Sequence, residues 1–285
     1  MTRLARTALA GVFVLCAFVA CTPPVQEYPQ ELDMTTWSIA AIDPETGDVG
    51  VAVSSCVETF GDGVAALVPG KGAAATQAGF DIRNRNRVFE ALQEGLTAEE
   101  VVQRVTDPEW DDQLERRQYG VVTLNDGVVH VAGYTTPLRQ GMRPDDDGNM
   151  RYAGVMADAS RGVTSQGNTL ASPEVVQRPL DAFRWDDPAG FNTLADRLMR
   201  ALEAGSHAGG DVRCNRGNVR QTTSMAAILV ARGGDEPYAT ENIGQTDAGT
   251  PDAPWLALSV HTTRLAENPL LELRQQFDAW RRTVE

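Results

Sequence analysis

Few side chains in this chain have the types and spacing that catalysis needs. The three histidines, His130, His207 and His261, are scattered and form no HxxE or HxxxH unit, so no metal site is expected. The run Asp145 to Asp147 lacks the spaced acidic pattern and distal Glu of a calcium loop and reads as a polar turn. No GxSxG, GxGxxG or Walker pattern is present, and no cofactor is expected. Lys71, the one lysine, could activate a neighbouring hydroxyl or be a solvated loop charge. Of the four cysteines, Cys16 and Cys21 lie in an N-terminal targeting segment. The remaining pair, Cys56 and Cys214, reads as a disulfide in an oxidising compartment, with two buried free thiols as the alternative.

Composition bounds the rest. The 285 residues are 42% hydrophobic and 22% charged, an ordinary globular balance that excludes a disordered chain, a collagen and a coiled-coil rod. The net charge of −14 argues against nucleic acid and against docking on anionic lipid, since both need clustered Lys and Arg. A lysine-poor, acidic chain fits a salty habitat or a genome that prefers arginine codons. Met1 to Cys21 carries Arg3 and Arg6 ahead of a short apolar run, Ala8 to Ala20, which reads as a signal peptide rather than a spanning helix. The run ends Phe18-Val19-Ala20-Cys21, and a small residue directly before Cys resembles a bacterial lipobox, making Cys21 the lipidation candidate. Simple secretion is the alternative. The expected location is the cell envelope or periplasm, with the membrane met only through a lipid anchor. Residues 22–35 are Pro- and Gln-rich and read as a flexible tether, leaving 36–285 as one domain.

Periodicity supplies the elements that must position any site. Thr36 to Ile42, a DPETGD turn and Val49 to Ser54 make a hairpin. Ala73 to Gly79 is a short strand. Asp81 caps a helix to about Glu94, and Thr97 with Glu100 opens a second by a capping box. Arg83, Arg85 and Arg87 would form a basic face on the first of these. Tyr119 to Leu124 and Val128 to Tyr134 flank an Asn-Asp-Gly turn, and Arg151 to Met156 and Gly162 to Gln166 are further strands. Ser172-Pro173 and Asp187-Pro188 open two helices, the second stopping at Gly205. Thr223 to Ala231 and Trp255 to His261 are strands, Asp235 to Pro254 a surface loop, and Asn268-Pro269 opens the last helix. Helices come in pairs between blocks of strands. That excludes regular βαβ alternation and suits an α+β fold of two antiparallel sheets with helices outside.

The opening string TWSIAAIDPETGDVGVAVSS resembles the start of the N-terminal nucleophile (Ntn) hydrolases, and is similar to a bacterial family in that superfamily, domain of unknown function 1028. ATQA at Ala75 to Ala78, QGN at Gln166 to Asn168, ALEAGSHAGGD leading to Arg213, and NPLLELR at Asn268 to Arg274 fit the same family, in order. The resemblance implies a four-layer αββα sandwich. It also implies Thr36 as nucleophile, with Gln77, Ala78 and Asn168 as oxyanion-hole candidates and Asp211 and Arg213 as groups that orient the amine or hydroxyl. The family's pattern has no lysine at position 71, which makes Lys71 a bystander. The implied activity is hydrolysis of a small amide or peptide-like bond through an acyl-enzyme. A non-catalytic envelope protein that binds such a ligand on the same scaffold is the alternative. The oligomeric state is left open, a homo-oligomer included.

A threonine hydroxyl needs a base within hydrogen-bond reach. A free α-amine on Thr36, with a reference pKa of about 7.7–8.0, would serve. After signal cleavage about fifteen residues, Cys21 to Thr35, still precede Thr36, and an amide nitrogen cannot act as a base. The mechanism therefore requires a cut between Thr35 and Thr36. Ser38, inside the strand, is the poorer nucleophile. The alternative readings are an ordinary strand-start Thr36, a turn at Gln166 to Asn168, and a loop tied by an Asp211–Arg213 ion pair.

Overall fold

The computed structural model describes residues 32–34, 36–57, 62–145, 148–184, 192–214, 222–238, 254–261 and 268–284. The signal peptide, the lipobox, most of the expected tether and the Asp187-Pro188 helix start lie outside these residues.

The strands in chain order are β1 (Leu32–Met34), β2 (Thr36–Ile42), β3 (Val49–Ser55), β4 (Ala65–Val68), β5 (Gly72–Phe80), β6 (Arg117–Asn125), β7 (Val128–Thr135), β8 (Gly141–Pro144), β9 (Met150–Asp158), β10 (Val163–Leu170), β11 (Met225–Ala231) and β12 (Leu256–His261). The helices are α1 (Ile82–Glu94), α2 (Ala98–Val105), α3 (Glu174–Ala182), α4 (Leu194–His207) and α5 (Pro269–Val284). One sheet runs β1-β5-β6-β7, with β4 also on β5; the other runs β12-β11-β3-β2-β10-β9-β8. Every pairing is antiparallel. This is an α+β sandwich, as the order of elements led us to expect.

Strand alternation sorts the core into three apolar clusters. Ala74, Tyr119 and Val121 of the first sheet pack with Val88 and Leu92 of α1 and Val101 of α2. Ala40, Ile42, Val51, Val53, Ala73, Ala75 and Val122 fill the layer where strands of the two sheets meet. Trp37, Ile39 and Ala41 of β2 join Val176, Leu198, Leu202, Leu273 and Phe277 of the other helices. Trp37 explains a glycine: a Cβ on Gly205 would lie 2.5 Å from the Trp37 indole nitrogen. α4 therefore runs through Gly205 to His207 instead of stopping there, and it starts with a Thr193 capping box to Asp196.

Three strands escape the periodicity reading. β4 and β8 have four residues each, too short for alternation to register. β1 falls within the stretch read as a tether: Leu32, Asp33 and Met34 pair with Phe80, Gly79 and Ala78. The basic face on α1 is corrected as well. Arg83 is an exposed partner of Asp81, Arg85 is buried at 1% exposure, and Arg87 stacks 4.0 Å over the Trp110 ring. Arg85 breaks the expected face because residues two apart do not share one, whereas Arg83 and Arg87, four apart, stay off the buried side.

Candidate functional site

Thr36 opens β2 opposite Ser55, the last residue of β3. It is fully buried, and its hydroxyl donates to Ser55 Oγ at 3.2 Å. Ser55 Oγ also accepts from the Val57 amide at 3.1 Å, and Ser55 O accepts from Thr223 Oγ1 at 2.8 Å. Ser54 Oγ donates to Thr223 Oγ1 at 2.8 Å. The nucleophile candidate thus ends in a cluster of small hydroxyls. Lys71 is exposed and donates to the Gln93 carbonyl, away from this cluster, as a solvated loop charge would be.

Two residues along β2, Ser38 shares the face of Thr36 and enters a second network that joins the sheets. Ser38 stands opposite Gln166 on β10, and Gln77 on β5 opposite Gln118 on β6. These two cross-strand pairs meet. Gln166 Nε2 donates to Ser38 Oγ at 2.7 Å, and Ser38 Oγ to Gln77 Oε1 at 2.6 Å. Gln77 Nε2 donates to Gln118 Oε1 at 2.7 Å and to Thr36 O at 3.3 Å. Asn168 Nδ2 donates to Gln118 Oε1 at 3.2 Å. Gln118 Nε2 donates to Thr135 Oγ1 at 2.8 Å and Gly167 O at 2.9 Å. Ser38, Gln77, Gln118, Gln166 and Asn168 are each at most 2% exposed. Hydrogen bonds in such dry surroundings are strong, and an unmade one is costly.

The structure brings Gln77 and Asn168 together on Gln118 Oε1, near the start of β2. It also shows what the reading missed. Gln118 is the hub, and it lies outside the expected strand, which starts at Tyr119, two residues inside the observed β6. The signal was a polar residue in phase with inward-facing Gly120 and Val122. Gly120 is needed there, since a Cβ would lie 1.9 Å from Gln166 Oε1. Two acceptors in this layer, Gln166 Oε1 and Asn168 Oδ1, are buried without a hydrogen-bond partner.

Backbone strain marks the same place. The described residues include three non-glycine positions with positive φ: Ala78 at 72°, Asp126 at 50° and Thr169 at 56°. Asp126 belongs to a hairpin turn, where such a φ is routine. Ala78 follows Gln77 and Thr169 follows Asn168, and a left-handed β-branched threonine is a genuine outlier. Gln166 to Asn168 are strand residues, not a turn; the irregularity comes one residue later, at the register shift between Gly167 and Leu170.

Asp211 and Arg213 reach this end of the sheets through a covalent clamp. Cys56 and Cys214 are disulfide-bonded, with 5.7 Å between their Cα atoms. The bond fastens the Asp211 loop beside Ser55, and Asp211 also bridges to Leu170 on β10. Asp211 is fully buried; its Oδ2 accepts from the Arg213 guanidinium at 3.1 Å and its Oδ1 from the Arg213 backbone amide at 3.0 Å. The two residues form an ion pair, as in the loop reading, placed at the rim of the hydroxyl cluster.

A third network supports the end of β5. Arg117 Nε meets Asp111 Oδ2 at 2.6 Å, and the same guanidinium donates to Gly79 O. Asn84 Nδ2 bonds Asp111 Oδ2 at 2.6 Å and Tyr119 Oη at 2.9 Å. Burial opposes the Asp111 charge, but the hydrogen bonds from Arg117, Gln113 and Asn84 outweigh it and hold its pKa below the ordinary value. Burial raises the Tyr119 phenol well above its usual range.

Residues 36–270 match a family of unknown function, DUF1028, most of the chain. The chain belongs to this family. No curated protein matches it. Among solved structures it is similar to the crystal structure of protein SPO2555 from Silicibacter pomeroyi, itself assigned to DUF1028. That similarity has a TM-score of 0.60 at 23% identity and covers 86% of this chain and 88% of the other. At that identity the likeness speaks for the fold, so the DUF1028 chain's chemistry must be argued from its own residues.

Proposed function

We propose that this DUF1028 chain is the precursor of an Ntn-type amide hydrolase, exported and anchored in the cell envelope through Cys21, with Thr36 as its nucleophile after a cut at Thr35–Thr36. The observation that carries this reading is the position of Thr36: its hydroxyl adjoins Ser55 Oγ, and its own carbonyl is held by Gln77, a member of the buried amide network. The two sheets with helices on their outer faces support the four-layer Ntn arrangement.

In the processing step Thr36 Oγ1 bonds to the Thr35 carbonyl carbon, and the C–N bond breaks. The hydroxyl proton passes to the nitrogen that leaves. Water then splits the ester, its OH going to the acyl carbon and its proton to Oγ1. The freed α-amine can now take the hydroxyl proton when a substrate amide is attacked, and pass it to the leaving amine. Water releases the acyl group as before. Developing negative charge on the carbonyl oxygen would be met by backbone N–H groups of the Gln77-Ala78-Gly79 stretch of β5, strained at Ala78, and by Asn168.

A second reading, a ligand-binding protein with no catalysis, is favoured by one observation: in the uncut chain Thr36 is fully buried. An acylating covalent probe separates the two. Labelling of wild type with none of Thr36→Ala supports the hydrolase; equal labelling of both, or of neither, supports the binder.

A further inference from the structure

We propose that the edge of β5 at Ala78–Phe80 is a peptide-binding site, whose ligand is an extended oligopeptide lying on the acyl side of the bond that Thr36 attacks. The proposal rests on the Thr36 reading for its catalytic meaning, but the binding itself does not depend on it.

The occupant is visible in the fold. β1 pairs with β5 through Leu32↔Phe80, Asp33↔Gly79 and Met34↔Ala78. β4 uses the same edge of β5 only from Gly72 to Ala75 and leaves these positions to β1. Two residues after Met34, Thr36 is already paired with Ser55 in the other sheet. Residues 32–34 therefore lie on the acyl side of the Thr35–Thr36 bond, as a strand laid on β5. Any later acyl donor must bring its carbonyl to the same hydroxyl, so the same edge is the surface along which it would lie.

The edge is also held ready. Ala78 has a φ of 72°, a left-handed arrangement that strains a residue with a Cβ. Gly79 O is gripped by Arg117, itself fixed by Asp111. Gly79 admits no side chain, because a Cβ would lie 2.9 Å from Arg116 Cβ. Strand addition draws affinity from main-chain hydrogen bonds, so recognition is of an extended backbone of at least three residues more than of one side chain. While β1 remains attached, it competes at a high effective concentration, roughly millimolar, and keeps the site closed.

The test is amide hydrogen exchange at Ala78–Phe80 in the full chain. A chain carrying Asp33→Pro and Met34→Pro loses two β1 donors, and exchange there should rise at least tenfold. Adding 1 mM acetyl-Glu-Leu-Asp-Met-Thr-amide, the chain's own sequence, should slow it at least tenfold; the backbone N-methylated peptide should not. If the proline chain misfolds, Leu32→Gly with Asp33→Gly carries the same test at smaller amplitude, because it weakens β1 while keeping every amide. No slowing by the peptide, or equal slowing by its N-methylated form, overturns the proposal. Slowing that persists with Thr36→Ala added supports the site even if no amide is ever hydrolysed.

Discussion

Replacing Gln118 with leucine tests whether the amide network is a dry, mutually dependent unit. Gln118 accepts from Gln77 Nε2 and Asn168 Nδ2 and donates to Thr135 Oγ1 and Gly167 O. Leucine is close in volume, so the cavity cost is small and the change is mostly one of lost partners. Gln77 Nε2 keeps only its 3.3 Å bond to Thr36 O, and Asn168 Nδ2 and Gly167 O lose their bonds to Gln118, in a layer where water cannot readily replace them, since Gln77 and Asn168 are 1% and 2% exposed. Each stranded group costs about 1–3 kcal/mol, and the apolar side chain returns part of the sum. The expected loss is about 3–6 kcal/mol, a large share of the stability of a typical domain. Urea unfolding should show a lower midpoint with an unchanged slope. Gln275→Leu, on an exposed face of α5, should fall within about 0.5 kcal/mol of wild type. The double variant with Gln77→Leu should lose at least about 1 kcal/mol less than the two single losses together, because the stranded Gln77 amide is gone. A Gln118→Leu loss under about 1 kcal/mol, or strict additivity, would refute the idea of a buried and coupled network.

Three more outcomes follow from the same geometry. Thr169→Gly should not destabilise the fold, since relief of left-handed strain, about 1–2 kcal/mol, offsets the added chain entropy; thermal unfolding checks this, and a loss above about 1 kcal/mol counts against strain. Cys56→Ala with Cys214→Ala should cost up to about 5 kcal/mol, the loop-closure figure for a separation of 158 residues, measured by urea unfolding against the oxidised chain. Asp111 is held below the ordinary aspartate value of 3.8, so the stability it contributes is full above that pH and lost as pH falls through its lower folded-state value; acid titration of Asp111→Asn should lack this part of the transition, while an unchanged acid limb would show the carboxylate to be unimportant.

Much of the scaffold was legible because its signals are local. The Asp81 cap, the Thr97–Glu100 box, the Asn-Asp-Gly hairpin and the hairpin around DPETGD each act within a few residues, and each appears where expected. α4 starts later than the expected Asp187-Pro188 opening, because a Thr193–Asp196 capping box sets its first turn. The site was legible only in pieces. Gln77, Asn168, Asp211 and Arg213 came from family resemblance, and nothing local says that Gln77 meets Gln118 or that Ser38 meets Gln166 across a sandwich. The cysteine pair could be read because so few thiols remained to choose from. β1 was hidden because three residues carry no period, and its pairing is fixed by the edge of β5, not by its own sequence.

Whether the Thr35–Thr36 bond is cut bears most directly on the account. Intact-mass measurement of purified wild type and Thr36→Ala decides it. The account predicts a wild-type species beginning at Thr36 and a Thr36→Ala chain that keeps the preceding residues. A wild-type protein that starts ahead of Thr36, with nothing shorter, would contradict it.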